Sequence, residues 1–269
     1  MTLHQTVLSS ERQPVLTSRE LSFTAGSASI LKPVSLGLQT GVVCGLLGHN
    51  GSGKSTLVKL LARQMEPSTG TLQLNDVDFS TWKQKDFARH VAYLPQHIPP
   101  AQGLLVEELV SHGRYPWHGA FRRFTDRDRQ KVDEALELTN TSVLRDRQVD
   151  NLSGGERQRV WIAMLIAQDA KCLFLDEPIS ALDVSHQVEV LNLIRDLARK
   201  KNISVLMVLH DINMAGRFCD RLLALRDGEL IADGTPSDIL QSETLAKIFG
   251  VDMGVLPHPK GEGAITYVA

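Results

Sequence analysis

Two glycine-rich stretches carry residue types that could hold phosphate. "GHNGSGKST" runs from Gly48 to Thr56, and "LSGGERQRV" from Leu152 to Val160. The first has a glycine, four residues, and then Gly53-Lys54-Ser55. Where such a turn leads from a strand into a helix, glycines let successive backbone N–H groups curl inward, and the helix N-terminus adds its positive end. The candidate cradle is Gly48, His49, Asn50, Gly51, Ser52, Gly53, Lys54, Ser55 and Thr56, with Lys54 reaching the β and γ phosphates and the Ser55 hydroxyl ligating Mg²⁺. "CLFLDEP" supplies what such a cradle needs next. Asp176, at the end of an apolar run, is placed to hold the metal through water. Glu177, beside it, is the candidate to orient or deprotonate an attacking water. The second stretch has Ser153, Gly154 and Gly155 at a helix start but no adjacent lysine, so one chain carries two phosphate cradles of different kinds.

The elements that must position these residues follow from apolar spacing. "VVCGLL" is a fully buried strand ending at Gly48, and "KSTLVKLLARQM" has helical spacing through Leu57, Leu60, Leu61 and Met65. Residues 16–40 read as short antiparallel strands and turns, and "EPSTGTLQL" returns to strand character. From about Phe79 to Ala170 the pattern is mostly helical, with Thr125, Asp126 and Asp128 as a helix start and Val132, Ala135, Leu136 and Leu138 as its apolar stripe. "CLFLD" and "SVLMVLHD" flank the helical "SHQVEVLNLIRDLARKK", the alternation of parallel strands joined by a crossover helix. "LLALRDGELIADG" reads as a hairpin turning at Asp227-Gly228, and "TPSDIL" opens a further helix capped by Thr235. The expected fold class is α/β.

The totals narrow the function. The chain has 269 residues, 42% of them hydrophobic, and a formal net charge of −2, enough for a substantial core and without a general electrostatic reason to bind nucleic acid. Cys44, Cys172 and Cys219 are far apart and are expected as buried thiols. No basic segment followed by an apolar core opens the sequence, and the longest apolar runs fall short of the roughly 20 residues a membrane helix needs. The expectation is a cytosolic chain that does not span a bilayer. His112 and His118 lack the paired spacing of a metal site, so direct iron binding is not expected.

Together these pieces resemble the ATP-binding cassette family from about Leu16 to Leu240. Gln96 in "YLPQ" is similar to that family's glutamine loop, "LSGGERQ" to its signature, "SALD" ending at Asp183 to its D-loop, and "LHD" with His210 to its switch histidine. The resemblance implies a P-loop NTPase core with an antiparallel β subdomain and a helical subdomain inserted over about 97–165, the whole of 1–269 being one nucleotide-binding domain. It implies ATP and Mg²⁺ as ligands, with Gln96 touching the metal and His210 contacting the γ phosphate or steadying Glu177. It also accounts for the second cradle: two copies would pack head to tail, each ATP lying between the P-loop of one and Ser153, Gly154 and Gly155 of the other. Phe23, near the family's usual aromatic position, is a candidate to stack on adenine, with core packing as the alternative.

Among cassettes the chain is similar to ATPase subunits of bacterial ferric siderophore, cobalamin and haem importers, and most similar in "GHNGSGKST", "VLHDINMAGRFCD" and "MGVLPHP" to those for ferric hydroxamate. That implies a homodimer at the cytoplasmic face of the bacterial inner membrane, working with separate transmembrane permease subunits and indirectly with a periplasmic siderophore-binding protein. In "GRYPWHGAFRRF", Tyr115, Trp117, Phe121 and Phe124 could line a groove for a permease helix with Arg114, Arg122 and Arg123 at its rim, or be a solvated loop with packed aromatics. Other cargoes of the same group, or a soluble cluster-assembly ATPase, are the alternatives.

Overall fold

The apolar runs become strands whose side chains alternate between two cores. The computed structural model describes residues 14–119, 123–259 and 263–269. In chain order the strands among them are β1 (Pro14–Ala25), β2 (Ala28–Gln39), β3 (Val43–Leu47), β4 (Thr69–Leu74), β5 (Val77–Asp78) and β6 (Val91–Leu94). They continue as β7 (Cys172–Leu175), β8 (Ser204–Val208), β9 (Arg221–Arg226), β10 (Glu229–Gly234), β11 (Met253–Pro257) and β12 (Ala264–Val268).

Strands β3, β7 and β8 are buried at every position, the mark of a parallel sheet covered on both faces. The sheet order is β10-β9-β3-β8-β7-β6. All its pairings are parallel except β9 with β10, the hairpin expected at Asp227-Gly228. Because strand side chains alternate, Leu47, Leu175 and Met207 enter one core, with the helices Gly154–Ala167 and Val184–Lys201. Leu46, Phe174 and Leu206 enter the other, with the helix Lys54–Leu61 and the antiparallel sheet β2-β1-β4-β5. Each fully buried side chain of this kind contributes roughly 1.5–3 kcal/mol, so the sheet is clamped from both sides.

Several expectations change. Residues 14–39 make two 12-residue strands rather than short ones, bent by register shifts along their pairing. The helix after the first glycine loop stops at Leu61, because Ala62 leaves helical geometry and Arg63 turns left-handed at φ 55°. Inside the stretch read as mostly helical, "VAYL" is strand β6, paired in parallel with β7 at the sheet edge. β11 and β12 form a final antiparallel hairpin that the apolar spacing does not predict. Within 97–165 the described residues form the helices Val106–His112, Tyr115–His118 and Asp126–Leu138 and most of Gly154–Ala167. Asp126–Leu138 begins in a capping box, with Thr125 accepting from the Asp128 N–H and Asp128 accepting from Thr125 N–H.

Arg114 is not at a groove rim. It is buried beneath the loop, donating from Nε to Asp128 at 2.9 Å and from Nη1 to the Ala167 carbonyl at 2.7 Å. Trp117 is half-buried, its indole N–H donating to the Gln168 carbonyl and its ring 5.3 Å and 5.0 Å from the Arg89 and Arg114 guanidinium carbons. Of the expected groove, Tyr115, Arg123 and Phe124 are exposed, while Phe121 and Arg122 lie outside the described residues. A packed aromatic and a buried ion pair make this loop a structural joint on the helix Gly154–Ala167. Arg114→Ala would leave the Asp128 carboxylate buried without its partner, so urea denaturation should show a loss of about 3–5 kcal/mol. A loss under about 1 kcal/mol would mean the pair is not what ties the loop down.

Candidate functional site

The parallel sheet sets out the candidate residues in spatial order. The glycine loop leaves β3, His210 follows β8 after Leu209, Asp176 and Glu177 follow β7, and Gln96 follows β6 after Pro95. All four strands run the same way, so these residues gather at their C-terminal edge, where open parallel sheets place ligands.

Local backbone geometry shapes the loop. Gly48 has φ 146°, and a Cβ there would lie 2.2 Å from the Leu225 carbonyl oxygen, so only glycine fits. Lys54, at the helix start, arches back and donates from Nζ to the Gly48 and His49 carbonyls, both at 2.8 Å. Burial lowers its pKa, against the pull of the Glu177 and Asp176 carboxylates. Ser55 donates from Oγ to Asp176 Oδ1 at 3.1 Å. Burial raises the Asp176 pKa, opposed by the Ser55 hydrogen bond, with Glu177 adding to the rise. Glu177 sits at φ 55°, a conformation that costs a non-glycine residue about 1–3 kcal/mol and is tolerated where function needs it. Its Oε1 is 2.7 Å from His210 Nε2.

A cleft of 640 Å³, within the range of small-molecule sites, is lined by Asn50, Gly51, Gly53, Lys54, Ser55, Thr56, Gln96, Glu177 and His210. Ile30, on β2, lines it too. The sequence reading missed Ile30; its signal was only an apolar residue in an edge strand. Phe23 does not line the cleft and packs on the core of the antiparallel sheet. Gly48 and Ser52 are loop framework behind the lining, and His49 turns away to within 3.4 Å of Asp227.

The second glycine stretch lies elsewhere. Ser153 caps the helix Gly154–Ala167, its hydroxyl accepting from the Glu156 N–H at 3.3 Å while Glu156 accepts from the Ser153 N–H at 2.9 Å. Ser153 and Gly154 are exposed. Gly154 borders an adjoining cleft with Gln96, Asp176 and Glu177, but neither Ser153 nor Gly155 lines the glycine-loop cleft. Asp183 is also outside it, capping the helix Val184–Lys201 through the His186 N–H. The fold therefore unites the first cradle with Asp176, Glu177, Gln96 and His210, leaves Ser153, Gly155 and Asp183 apart, and puts Gly154 at the edge of the adjoining cleft.

The donors suit a nucleotide and a hard cation. Lys54 and the N-terminus of the helix Lys54–Leu61 match phosphate oxygens, and the Ser55 hydroxyl beside a buried carboxylate matches Mg²⁺, which prefers few carboxylates plus water and phosphate. The ABC transporter model matches residues 31–180. The chain belongs to the ABC transporter family. This cassette is an ATPase. It is 41% identical to the achromobactin transport ATP-binding protein of Dickeya dadantii, over 91% of each chain. Against the iron(3+)-hydroxamate import ATP-binding protein of Bacillus subtilis the identity is 38%, again over 91% of each. The hemin import ATP-binding protein of Bordetella parapertussis is 40% identical over 94% of this chain and 99% of its own. A solved inward-facing structure described as a metal-chelate type ABC transporter superposes with a TM-score of 0.81 at 28% identity, covering 95% of this chain and 97% of that one.

Because the ionised Asp176 is held where burial disfavours charge, Asp176→Asn in this cassette should raise the melting temperature of the nucleotide-free protein at pH 7, by a few degrees for about 1 kcal/mol. A lower melting temperature would show the carboxylate to be a net stabiliser.

Proposed function

We propose that the chain is the ATP-hydrolysing subunit of an importer for iron chelates, acting as a head-to-tail homodimer on separate membrane-spanning permease subunits. The observation that carries this reading is the separation of the two cradles. The P-loop cleft is lined by Lys54, Ser55, Gln96, Glu177 and His210 but by none of Ser153, Gly154 and Gly155, and Ser153 and Gly154 are exposed at a helix start. A second copy packed in the opposite sense would bring them to the γ phosphate of ATP held by the first. Bound ATP would then join two protomers and its hydrolysis release them, so chemistry becomes opening and closing.

Within each site, Lys54 and the N–H groups of residues 48–56 would bind the phosphates. Ser55, and Asp176 through water, would hold Mg²⁺ with Gln96 beside it. An ion held there would supply positive charge to the phosphates. Glu177 would position and deprotonate the attacking water through the oxygen not engaged by His210. The strained backbone at Glu177 and the 2.7 Å contact to His210 both restrict where that carboxylate points.

No helix among the described residues is long and apolar enough to cross a membrane. On this reading the chain docks at the cytoplasmic face of the bacterial inner membrane, and a periplasmic binding protein delivers the cargo to the permease. On the same reading the cargo passes through the permease and does not meet the cassette. We take ferric hydroxamate as the cargo, supported by the motif resemblance and by the hydroxamate-import relative. Haem is the second reading, favoured by the longer alignment to the hemin-import protein, which spans 266 residues against 245.

Cells carrying the wild-type chain or Glu177→Gln, supplied with labelled ferric hydroxamate, haem or cobalamin, separate these. We expect Glu177→Gln to abolish uptake of hydroxamate alone, and the purified variant to bind ATP while hydrolysing it at least about 100-fold more slowly. Loss confined to haem uptake would move the assignment to haem, and near-normal hydrolysis would remove Glu177 as the base. Lys54→Ala should weaken ATP binding at least about tenfold in a fluorescent nucleotide titration, since a charged phosphate contact is lost. An unchanged titration would overturn the role given to Lys54.

A further inference from the structure

His186 belongs to none of the motifs, yet it touches two of them. A Cβ built on Gly155 would lie 2.5 Å from His186 Cδ2 and 2.9 Å from Cγ, so the imidazole rests directly on the backbone of the second signature glycine. The other edge of the ring faces Asp183, whose two carboxylate oxygens are 2.8 Å and 2.9 Å from Nδ1. Asp183 is fixed in turn: it accepts from the His186 N–H at 3.0 Å and the Ser185 hydroxyl at 2.8 Å. A second contact lies one turn further along both helices, where Arg159 donates from Nη1 to Glu189 at 2.7 Å. His186 and Glu189 are three apart on one helix, and Gly155 and Arg159 four apart on the other, the spacings at which helical residues share a face. The segment before Asp183 is tied down as well, Gln187 donating from Nε2 to the Ile179 and Leu182 carbonyls.

We propose that His186 is a positioning residue that locks the D-loop Asp183 to the signature turn Ser153–Gly155 within one protomer, so that both are presented to the second protomer as a single rigid surface. This rests on the homodimer reading above. The flat ring is what fits: its face fills the space a side chain on residue 155 would need, and its Nδ1 is the atom that anchors it. Without the ring, the exposed signature turn loses its support from below while the P-loop cleft, which His186 does not line, stays intact.

The test compares His186→Ala, His186→Asn and His186→Phe in the full-length protein. Asparagine can still bond Asp183 but has no ring for Gly155; phenylalanine keeps the ring and loses the bond. We expect kcat to fall about tenfold in all three variants, because each breaks at least one end of the link, the size of effect seen when a coupling residue is removed. Fluorescent-nucleotide affinity of the isolated subunit should stay within about twofold for all three, because P-loop binding is untouched. In the Glu177→Gln background, ATP-driven dimerisation followed by light scattering should need about tenfold more ATP once His186→Ala is added. His186→Asn with wild-type kcat would reduce His186 to a local helix cap, and His186→Phe with wild-type kcat would reduce it to packing under Gly155; either would overturn the proposal. A Glu177→Gln parent that stays monomeric with ATP would instead remove the dimer reading and this inference together. A parent that dimerises, with His186→Ala dimerising at the same ATP concentration, would remove the inference alone.

Discussion

Backbone pairing inside a dry sheet is the constraint on which the rest depends. Strands β3, β7 and β8 have no exposed face, so every N–H and C=O along them must find a partner in a neighbouring strand. The pairing continues to the last residue before the chemistry begins: Asp176 donates its N–H to the Leu94 carbonyl, and Leu209 to Leu46. Asp176 and His210 therefore start within one residue of a fixed ladder. Their positions relative to the glycine loop are set by register, a one-residue slip of which would turn every side chain to the opposite core. The chemistry is precise because the sheet leaves its ends no freedom.

Onto this frame the fold loads charges that burial disfavours. Burial pushes Asp176 toward its protonated form, opposed by the Ser55 hydrogen bond and the Lys59 and Lys54 charges, and pushes Lys54 toward its neutral form, opposed by the Glu177 and Asp176 carboxylates. Two opposite charges held in a poorly solvated cleft attract ligands that complete them, phosphate oxygens for the lysine and a cation for the carboxylate. Glu177 adds backbone strain to the same place. Stability given up at the strand ends is recovered in the two apolar cores, where helices and the antiparallel sheet cover both faces of the ladder.

Much of this was legible in the sequence because it is written locally. Strand, glycine turn and helix follow one another in "VVCGLLGHNGSGKST", and "CLFLDEP" announces a buried strand and its acidic end without reference to anything distant. Thr125 with Asp128, and Asp227-Gly228, declare a cap and a hairpin by chemistry that acts over four residues or fewer. What was lost depends on contacts between distant segments. "VAYL" is too short to announce itself as a strand, and only pairing with β7 makes it one. Arg114 reads as a surface charge until Asp128, fourteen residues on, folds over it. Ile30 borders the cleft only because β2 carries it to the glycine loop, where its carbonyl lies 3.0 Å from a Cβ placed on Gly53.

The final hairpin shows how a distant segment can serve the same end. Asn213 donates to the Thr266 carbonyl and accepts from the Thr266 N–H at 2.8 Å, so its side-chain amide pairs with β12 much as another strand would. Asn213 lies in the helix Ile212–Phe218, which starts two residues after His210 and is capped by Asp211. The histidine is thus held between the end of β8 on one side and a helix pinned by the C-terminal hairpin on the other. His210 so placed, Glu177 in contact with it and Lys54 tied into its own loop are all arranged by contacts within a single chain. On the homodimer reading, the degree of freedom left for ATP to act on is the distance to a second copy's signature.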